Sequence, residues 1–581
     1  MPRPDGIAAV GSRRDSTSNR RLAFGLLVAV AAAVLFTGLG SVALLDDREA
    51  RNAAVANELL ARGEFVTPTL GGTALLERPV AAYVPDLVWN AFRARSPVPG
   101  RAVRALLAVA LAALTGLIGA RLFGARAGLC AAGVLLTTLG LPFTARLDGG
   151  VLLAALAAWS ACGALAELVV RRNPSPTRWI VLAWVSLALA ALTGGPTSAA
   201  WPLLGLGLYL RLARRSERWR ALRPLAGVAI VAGLCLPWYG AMFERHGVAF
   251  LRALPAFPHG GGPAPETWLA ALATPVSAVT LLMAAAFPWS AMLPAAVLHA
   301  STWWGRSRRA PERAREVAGD GGAVVLAELE RQLESESTAH LVIAWLFAAL
   351  VPCMLVFRAP LTAVLPALPA IALLTGRLLD HVLEAPHRVR LPLENATRML
   401  AFVGVPVAFL ATLAANRLLE AQRDLRLLAA LIVVLACAPA LAALIGRLRT
   451  AALLFALPVL LAAPLINARV LHALEPYAST RPVGDALVRE APAGAALVLL
   501  ESAPPSLRLY APRAFVVAGH GTAKAPGPPL ARALRESRAR DGRTYVAFRP
   551  QRESEVRAAT VSPLEILIRT PSLVLARVNA E

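Results

Sequence analysis

A dense cluster of charged side chains lies between residues 46 and 79, directly after a long apolar run. Its first six residues include three acids and two arginines, in the order Asp46, Asp47, Arg48, Glu49 and Arg51. The tripeptide Glu77-Arg78-Pro79 closes the cluster. At a bilayer surface, a carboxylate of this kind can take a proton from a hydroxyl group, and guanidinium groups can hold a phosphate. The residue types therefore indicate transfer chemistry on a phosphate-bearing substrate.

The same kinds of charge also have a purely structural interpretation. Asp and Glu ahead of an amphipathic stretch cap a helix and offset its dipole. A second pair, Arg146 and Asp148, lies where two predicted membrane helices meet. Ionisable side chains at such a place are either functional or a structural ion pair. The spacing of the charges alone leaves both interpretations open.

The composition indicates where these charges must lie. Of 581 residues, 57% are hydrophobic and the mean hydropathy is +0.58, which is too apolar for a water-soluble globule. The formal charge of +23 comes almost entirely from arginine, because Lys524 is the only lysine. Most arginines occur in short loops between apolar runs, as the positive-inside rule expects, so nucleic acid is excluded as a partner. The composition predicts an integral membrane protein.

Five cysteines occur singly within apolar runs, at Cys130, Cys162, Cys235, Cys353 and Cys437. They show neither CxxC pairs nor the spacing of metal ligands, so they are predicted to be small core residues. The sequence predicts no cofactor and no metal site.

The elements that position the charged cluster are predicted to be membrane helices. A hydrocarbon core of about 30 Å needs about 20 apolar residues per helix, and residues 22–468 offer about thirteen such runs. Residues 1–21 form a basic tail, which predicts a cytoplasmic N-terminus. Because the number of spans is odd, the C-terminal segment is expected on the same, extracytoplasmic side as the loop 46–101. The predicted fold class is a mainly α, multi-pass transmembrane helical bundle.

The composition changes in residues 469–581. Four short β-prone runs, separated by Pro, Gly and charged residues, lie at 494–502, 513–520, 543–550 and 572–579. They predict a small extracytoplasmic α/β domain that packs on the helices as a cap. The segment 301–339 has a basic half and an acidic half and is predicted to be a cytoplasmic loop, either helical or disordered.

From Asp46 the sequence reads DDREARNAAVANELLARGEFVTPTLGG and then LLERPVAAYV. This pattern resembles the first extracytoplasmic loop of the C-type glycosyltransferases that use polyprenyl-phosphate sugars, among them the lipid A aminoarabinose transferases and protein O-mannosyltransferases. The positions that match the family pattern are Glu49, Arg51, Asn52, Ala53, Gly63, Val66, Thr67, Pro68, Leu70, Gly72, Glu77 and Pro79. Further matches follow in order along the membrane part, at 237–239, 287–290 and around Arg358.

Three positions depart from the family pattern. Arg48 stands where the family has its catalytic Asp, with Asp46 and Asp47 just upstream. Arg78 replaces a Lys, which keeps the charge, whereas Gly194 stands where a Lys precedes Gly-Pro, so one cation is missing.

The resemblance implies an inverting glycosyltransferase of the bacterial inner membrane. It would move a sugar from a polyprenyl-phosphate donor to a lipid, glycan or protein acceptor at the extracytoplasmic face, surrounded by membrane lipid. The implied catalytic residues are Asp47 as the base, Asp46 as its deputy, Glu49, and Asp148 to orient the acceptor or help the base. The implied residues that bind the donor phosphate are Arg51, Arg78 and Arg358.

Two alternatives from other classes remain open. A non-catalytic relative that binds polyprenyl lipids in envelope assembly is favoured by Arg48 and Gly194. A transporter is favoured only by the number of helices, because the sequence shows neither an internal repeat nor ionisable residues in mid-membrane. An enzyme should bring Asp47, Asp148 and the arginines at 51 and 78 to one extracytoplasmic cavity.

Overall fold

A computed structural model of the chain shows a helical part followed by a small sheet. The described residues are 22, 24–45, 48–91, 96–171, 176–254, 268–301, 323–354, 359–418, 422–467, 471–492, 495, 497–500, 503–511, 515–518, 530–541, 544–560 and 563–578. Within these ranges, the chain up to residue 492 is mainly helical, and five of the strands follow residue 496.

Helices occur along the whole described chain, and most of them are joined by short turns. They are α1 Phe24–Phe36, α2 Arg48–Arg62, α3 Val84–Ala91, α4 Val98–Phe123, α5 Ala125–Leu136, α6 Gly140–Leu147, α7 Gly149–Val169, α8 Pro176–Gly194, α9 Pro196–Leu212, α10 Pro224–Ala253, α11 Trp268–Ala286, α12 Leu293–Ser301, α13 Ala323–Met354, α14 Leu368–Glu384, α15 Arg390–Leu418, α16 Gln422–Leu444, α17 Leu448–Leu454, α18 Leu457–Leu465, α19 Leu471–Ala478, α20 Arg481–Glu490, α21 Pro505–Tyr510, α22 Leu530–Asp541 and α23 Glu553–Ala559.

Several helices can cross a membrane. By length and composition, the described residues contain six such helices, or up to eight if each of two bent pairs is one span. The six are Val98–Phe123, Gly149–Val169, Pro176–Gly194, Pro224–Ala253, Leu361–Glu384 and Leu448–Leu465. A helical membrane protein with several spans is therefore confirmed, while the larger number of thirteen stays a prediction.

Helix α7 is largely buried and packs against several other helices of the bundle. It is apolar on nearly all sides and buried along most of its length, as expected for a helix surrounded by others. Trp159 of α7 packs against Trp201 of α9 and Trp345 of α13, with ring centroids 5.7 and 5.8 Å away. The indole of Trp159 donates to the Pro366 carbonyl at 2.9 Å, so its polar atom is satisfied. Because α7 begins directly after Asp148, this packing fixes the position of that carboxylate.

Helices α4 and α5 approach each other through glycine. A Cβ on Gly128 would lie 2.3 Å from the carbonyl oxygen of Gly116 and 2.5 Å from the backbone nitrogen of Ala120. Lipid tails are as apolar as the side chains, so membrane helices associate by close backbone packing, which small residues allow. A larger residue at 128 would separate α5 from α4.

The strands form two sheets. In the first loop, β1 Thr69–Leu70 pairs antiparallel with β2 Thr73–Ala74. The C-terminal sheet contains β3 Leu497–Leu499, β4 Phe515–Val517, β5 Thr544–Phe548, β6 Leu564–Arg569 and β7 Val574–Val578. Its order is β4-β3-β5-β7-β6, with β3 parallel to both neighbours and the other pairs antiparallel. Each of the four predicted β-prone runs contains a strand, whereas β6 was not predicted.

Helices cover both faces of the C-terminal sheet. One apolar cluster joins the sheet to α20 and α21, and a second joins the opposite face to α22 and α23. In the register, Leu497 lies opposite Phe515 on one side and Tyr545 on the other. The three inner strands β3, β5 and β7 are therefore buried on both faces, which explains their continuous apolar runs.

Helix α21 joins the sheet domain to the first loop. The Tyr510 hydroxyl accepts a hydrogen bond from the backbone nitrogen of Leu44 at 2.9 Å. The guanidinium group of Arg508 lies against Gly71, since a Cβ there would be 2.5 Å from its Nη2 atom. The first loop and the sheet domain thus lie at the same end of the molecule.

Candidate active site

Glu49 is a buried anchor in the first turn of α2. It is 1% exposed, and Arg101 donates to both of its carboxylate oxygens at 2.8 Å each. Arg104 donates to the same carboxylate at 2.5 Å. Burial alone would raise the pKa of Glu49, but the two guanidinium groups outweigh it and lower the pKa. The carboxylate is therefore ionised at neutral pH, with its oxygens occupied by arginine.

Arg101 also fixes the segment that leads into the first loop. Its Nη1 atom donates to the carbonyl oxygens of Leu39 and Val42, and its Nη2 atom donates to that of Ala43, each at 2.9 Å. A guanidinium group can satisfy several acceptors at once because its donors form a rigid planar fork. One side chain at the start of α4 thus ties together the end of the first apolar segment and α2.

Asp86 on α3 holds the other side of Arg104. Its Oδ1 atom accepts from Arg104 Nη1 at 2.9 Å, while its buried Oδ2 atom has no hydrogen-bond partner among the described residues. Burial raises the pKa of Asp86 to about 6, because Arg104 offsets it only in part and the charges of Asp148 and Glu49 add to it. This carboxyl group therefore changes its charge close to neutral pH.

Asp148 is the meeting point of two loop arginines. It is the N-cap of α7, and its side chain accepts from the backbone nitrogens of Gly150 and Val151 at 3.1 and 3.3 Å. Arg78 Nη2 donates to both carboxylate oxygens at 3.1 Å, and Arg48 Nη1 donates to Oδ2 at 3.2 Å. The carboxylate is fully buried. A helix end and two loop cations are thus held by one side chain.

The environment of Asp148 keeps it ionised. Burial opposes its charge, but Arg78 and Arg48 outweigh burial and lower its pKa to about 2. Asn52 on α2 bridges the pair, since its amide nitrogen donates to Asp148 at 3.5 Å and its oxygen accepts from Arg78 at 3.3 Å. A carboxylate with this pKa and this many donors is a weak base, so its chemical use is to hold the guanidinium groups in place.

The loop arginines differ in their access to solvent. The side chain of Arg51 pairs with Glu77 and is 38% exposed, whereas those of Arg48 and Arg78 are 16% and 7% exposed. A phosphate arriving from solvent or lipid can therefore reach Arg51 first. Arg78 lies behind it, held by Asp148 and with its guanidinium carbon 6.0 Å from the centre of the Tyr83 ring.

Four of the predicted site residues lie on adjoining elements: Glu49, Arg51, Arg78 and Asp148. Of these, Arg78 and Asp148 are in direct contact. The other three, Asp46, Asp47 and Arg358, lie outside the described residues.

Arg146 takes a structural position beside this group. Its guanidinium donates to the carbonyl oxygen of Gly38 at 3.0 Å and to that of Thr37. The partner of Asp148 is therefore the loop arginine Arg78 rather than its neighbour in sequence.

The glycine at the family's lysine position is tightly packed. A Cβ on Gly194 would lie 2.3 Å from Ser198 Oγ and 2.7 Å from the Cβ of Ala154 on α7. A lysine cannot occupy this place without moving α7 or α9. The missing cation is therefore accompanied by close packing of the helices. Arg48 is a cation that contacts Asp148 in addition to Arg78.

Sequence reasoning missed Arg101, Arg104 and Asp86. The predicted loop ended at residue 101, so Arg101 fell at its end, Arg104 fell within the next apolar run, and Asp86 lay inside the loop without an assigned role. A usable signal was present, because residues three apart share one face of a helix. Two arginines on one face at the start of an apolar helix need buried acidic partners.

The described residues contain no group of three or more His, Cys, Asp or Glu side chains that could hold a metal ion. The five cysteines are free thiols. Within the site, the buried carboxylates pair with arginines.

Comparison with solved structures shows which known fold the chain has. No family model matches the chain. The crystal structure of ArnT from Cupriavidus metallidurans in the apo state superposes with a TM-score of 0.73, covering 95% of this chain and 97% of that one at 17% identity. The crystal structure of ArnT from the same organism bound to undecaprenyl phosphate gives a TM-score of 0.72, also at 17% identity. The chain therefore has the fold of this class of C-type glycosyltransferase.

The sequence is similar to particular members of that class. The undecaprenyl phosphate-alpha-4-amino-4-deoxy-L-arabinose arabinosyl transferase of Pseudomonas aeruginosa strain UCBPP-PA14 is 28% identical over 318 residues. That of strain LESB58 is 28% identical over 331 residues. The match covers 52% of this chain and 53% of each relative, so the chain spans about half the length of the curated relatives it matches. The resemblance drawn from the first loop is confirmed.

Proposed function

We propose that this chain is a membrane glycosyltransferase that moves a sugar from a polyprenyl-phosphate donor to a lipid, glycan or protein acceptor. The observation that carries the proposal is the convergence of Arg78 and Arg48 on the buried Asp148, with Arg51 more exposed beside them. This arrangement supplies fixed positive charge in the loop where the resembling family binds its donor. Its ArnT-like fold and the names of its relatives support the same donor class.

The proposed reaction is a single displacement. The oxygen of an acceptor hydroxyl attacks the anomeric carbon of the donor sugar, and the bond from that carbon to the phosphate oxygen breaks. The electron pair leaves with the polyprenyl phosphate, and the hydroxyl proton passes to a carboxylate. Guanidinium groups stabilise the negative charge that develops on the departing phosphate.

The base is assigned to Asp47, with Asp46 as its deputy. The pKa of Glu49 is lowered and that of Asp148 is lowered to about 2, and both carboxylates are occupied by N–H donors. Neither is therefore suited to take a proton from a hydroxyl group, because an efficient base has a pKa nearer the working pH. In this proposal Glu49 and Asp148 are positioning residues.

The cations have graded roles in the proposal. Arg51 meets the donor phosphate first because its side chain is more exposed than those of Arg48 and Arg78. Arg78 and Arg48 provide fixed charge behind it, held by Asp148. Arg358 is a further candidate from the family resemblance alone.

The proposed location is the bacterial inner membrane, with about thirteen spans and a cytoplasmic N-terminus. In this arrangement the segment 301–339 is cytoplasmic, and the α/β domain 469–581 lies outside with the first loop. The hydrogen bond between Leu44 and Tyr510 supports placing the loop and the domain on one side.

A second candidate is a non-catalytic relative that binds polyprenyl lipids. It is favoured by Gly194, whose surroundings leave no room for the family's lysine, and by Arg48 in place of the family's catalytic Asp. The paired charges do not support a transporter, because they lie in the loop and at helix ends, whereas a transporter is expected to carry ionisable residues in mid-membrane.

A transfer assay tests the proposal and separates the two candidates. The full chain in lipid nanodiscs is given undecaprenyl-phosphate aminoarabinose and lipid A, and the product is detected by mass spectrometry. The enzyme should form aminoarabinose-modified lipid A, and the Asp47→Asn variant should not. Donor lipid that binds saturably without any product, across a panel of polyprenyl-phosphate sugars and acceptors, would select the non-catalytic candidate.

A further inference from the structure

A cavity of about 520 Å³ lies in the C-terminal sheet domain, and its described lining includes none of the charged residues of the first-loop site. It opens at the carboxyl ends of β3 and β5, where Leu499 and Phe548 contribute to its lining. From β3 the chain passes through α21 to β4 on one side, and from β4 through α22 to β5 on the other. The cavity therefore lies at a point where the strand order reverses, which is where open α/β sheets bind ligands.

The lining of the cavity combines flat apolar groups with a few polar ones. The ring of Tyr477 and the prolines at 504, 505 and 571 belong to the apolar part of the lining. Gln551, Ser572 and Thr480 provide amide and hydroxyl groups. Arg549, directly after β5, is the one charged residue in the described lining. A ring-shaped, polyhydroxylated molecule that carries one negative charge fits this set of groups, because arginine binds carboxylate and phosphate through paired hydrogen bonds.

The short helix α21 connects the cavity to the first loop. Pro505 at its beginning lines the cavity, and Tyr510 at its end accepts the hydrogen bond from Leu44. Six residues of helix span about 9 Å. A ligand in the cavity is therefore held roughly one short helix away from the loop that carries Glu49 and Arg51.

We propose that this cavity is a binding site for an anionic sugar, a carboxylated or phosphorylated monosaccharide unit of the acceptor, which it holds beside the transfer site. The assignment to the acceptor rests on the proposed function, whereas sugar binding by the cavity does not. Tyr477 packs against the sugar ring, Gln551 and Ser572 bind its hydroxyl groups, and Arg549 binds its acidic group.

The test is direct binding to the full chain in detergent, without donor lipid or transfer. Glucose 1-phosphate, glucuronic acid, glucose and inorganic phosphate are titrated and followed by isothermal titration calorimetry, which detects all four ligands. We expect both anionic sugars to bind saturably, and glucose and inorganic phosphate to bind at least about tenfold more weakly, since each lacks one half of the recognised chemistry.

Two variants locate the binding. Arg549→Ala should weaken binding of glucose 1-phosphate about tenfold or more, the usual effect of losing a hydrogen bond to a charged group. Ser572→Trp should fill the cavity and abolish binding. Arg532→Ala, an exposed arginine of α22 paired with Glu536, is the matched control and should bind as the wild type does.

Three results would overturn the proposal: no saturable binding of either anionic sugar, equal binding of inorganic phosphate, or unchanged binding in Arg549→Ala. Because Arg549 is exposed, its variant should fold, and melting temperatures verify this. Failure here removes the sugar site and leaves the transfer reaction untouched. Failure of the transfer assay with intact sugar binding removes the assignment to an acceptor and keeps the site.

Discussion

Replacing Asp148 with asparagine tests the ion pair at the centre of the site. Asparagine keeps the size of the side chain and is an equally good N-cap, so the start of α7 should survive. What is lost is the negative charge that faces Arg78 and Arg48. The variant therefore isolates the electrostatic part of the interaction from helix capping.

The size of the effect follows from the pKa of Asp148. Its shift from 3.8 to about 2 corresponds to about 2 to 3 kcal/mol of unfolding free energy at neutral pH. The nearly buried Arg78 is left facing an uncharged side chain, and breaking a buried pair typically costs about 3 to 5 kcal/mol. The asparagine oxygen retains one acceptor, so we expect a loss of about 3 kcal/mol.

The dependence on pH has a defined sign. The pKa in the folded state is depressed, so the contribution is fully present above the unfolded pKa near 4 and is lost as the pH falls through about 2. The difference between wild type and Asp148→Asn should therefore be largest at pH 7. At pH 3 about half of the linked contribution should remain.

Unfolding by SDS in mixed micelles, followed by tryptophan fluorescence, measures this difference because the chain has 12 tryptophans. Asp485→Asn is the matched control, since Asp485 forms an exposed ion pair with Arg481 at 3.5 Å. Such a surface pair contributes little. If Asp148→Asn unfolds at the same SDS fraction as the wild type at pH 7, the ion pair does not stabilise the fold and the reasoning fails.

Four further outcomes are expected. Asp47→Asn should reduce turnover on the order of hundredfold or more while donor binding persists, and a silent Asp47→Asn beside an inactive Asp46→Asn would move the base by one residue. Arg78→Ala should weaken binding of a polyprenyl-phosphate donor by roughly 1.5 to 3 kcal/mol, with Arg78→Lys close to wild type; unchanged binding in the alanine variant would favour the non-catalytic candidate. A reporter fused at Glu581 should give an extracytoplasmic signal, and a cytoplasmic one contradicts the predicted topology. The stability of the wild type should fall relative to Asp86→Asn as the pH rises from about 4 to about 6, because a raised carboxyl pKa favours the protonated form of the folded state, and parallel pH curves would contradict this.

The sequence predicted the parts of this protein that follow from local pattern. Long apolar runs predicted the membrane helices, and the four β-prone runs of the tail each contain a strand. The strand Leu564–Arg569 was missed because its apolar residues are only half buried at the sheet edge, so the alternation is weak. Arg78 and Asp148 were both chosen from sequence, and they are in contact.

The pairing of charges could not be predicted, because it depends on how distant segments pack. Sequence spacing suggested Arg146 as the partner of Asp148, two residues away. At the junction of α6 and α7 the two side chains separate, so Arg146 reaches backbone carbonyls while Asp148 meets a loop arginine 70 residues away. Only the tertiary arrangement decides between these alternatives.

The two arginines at the start of α4 also bear on how the protein enters the membrane. A bare arginine costs about 2.5 to 3.5 kcal/mol at the centre of an inserting helix, and less near its end. Glu49 and Asp86, which neutralise Arg101 and Arg104, precede α4 in the chain and so leave the ribosome before it does. Both acids are thus available when α4 reaches the bilayer, and their ion pairs with the two arginines can form during synthesis. Loss of Glu49 would leave the newly synthesised α4 with an uncompensated positive charge. It would therefore reduce membrane insertion and yield of the protein, independently of any effect on substrate binding.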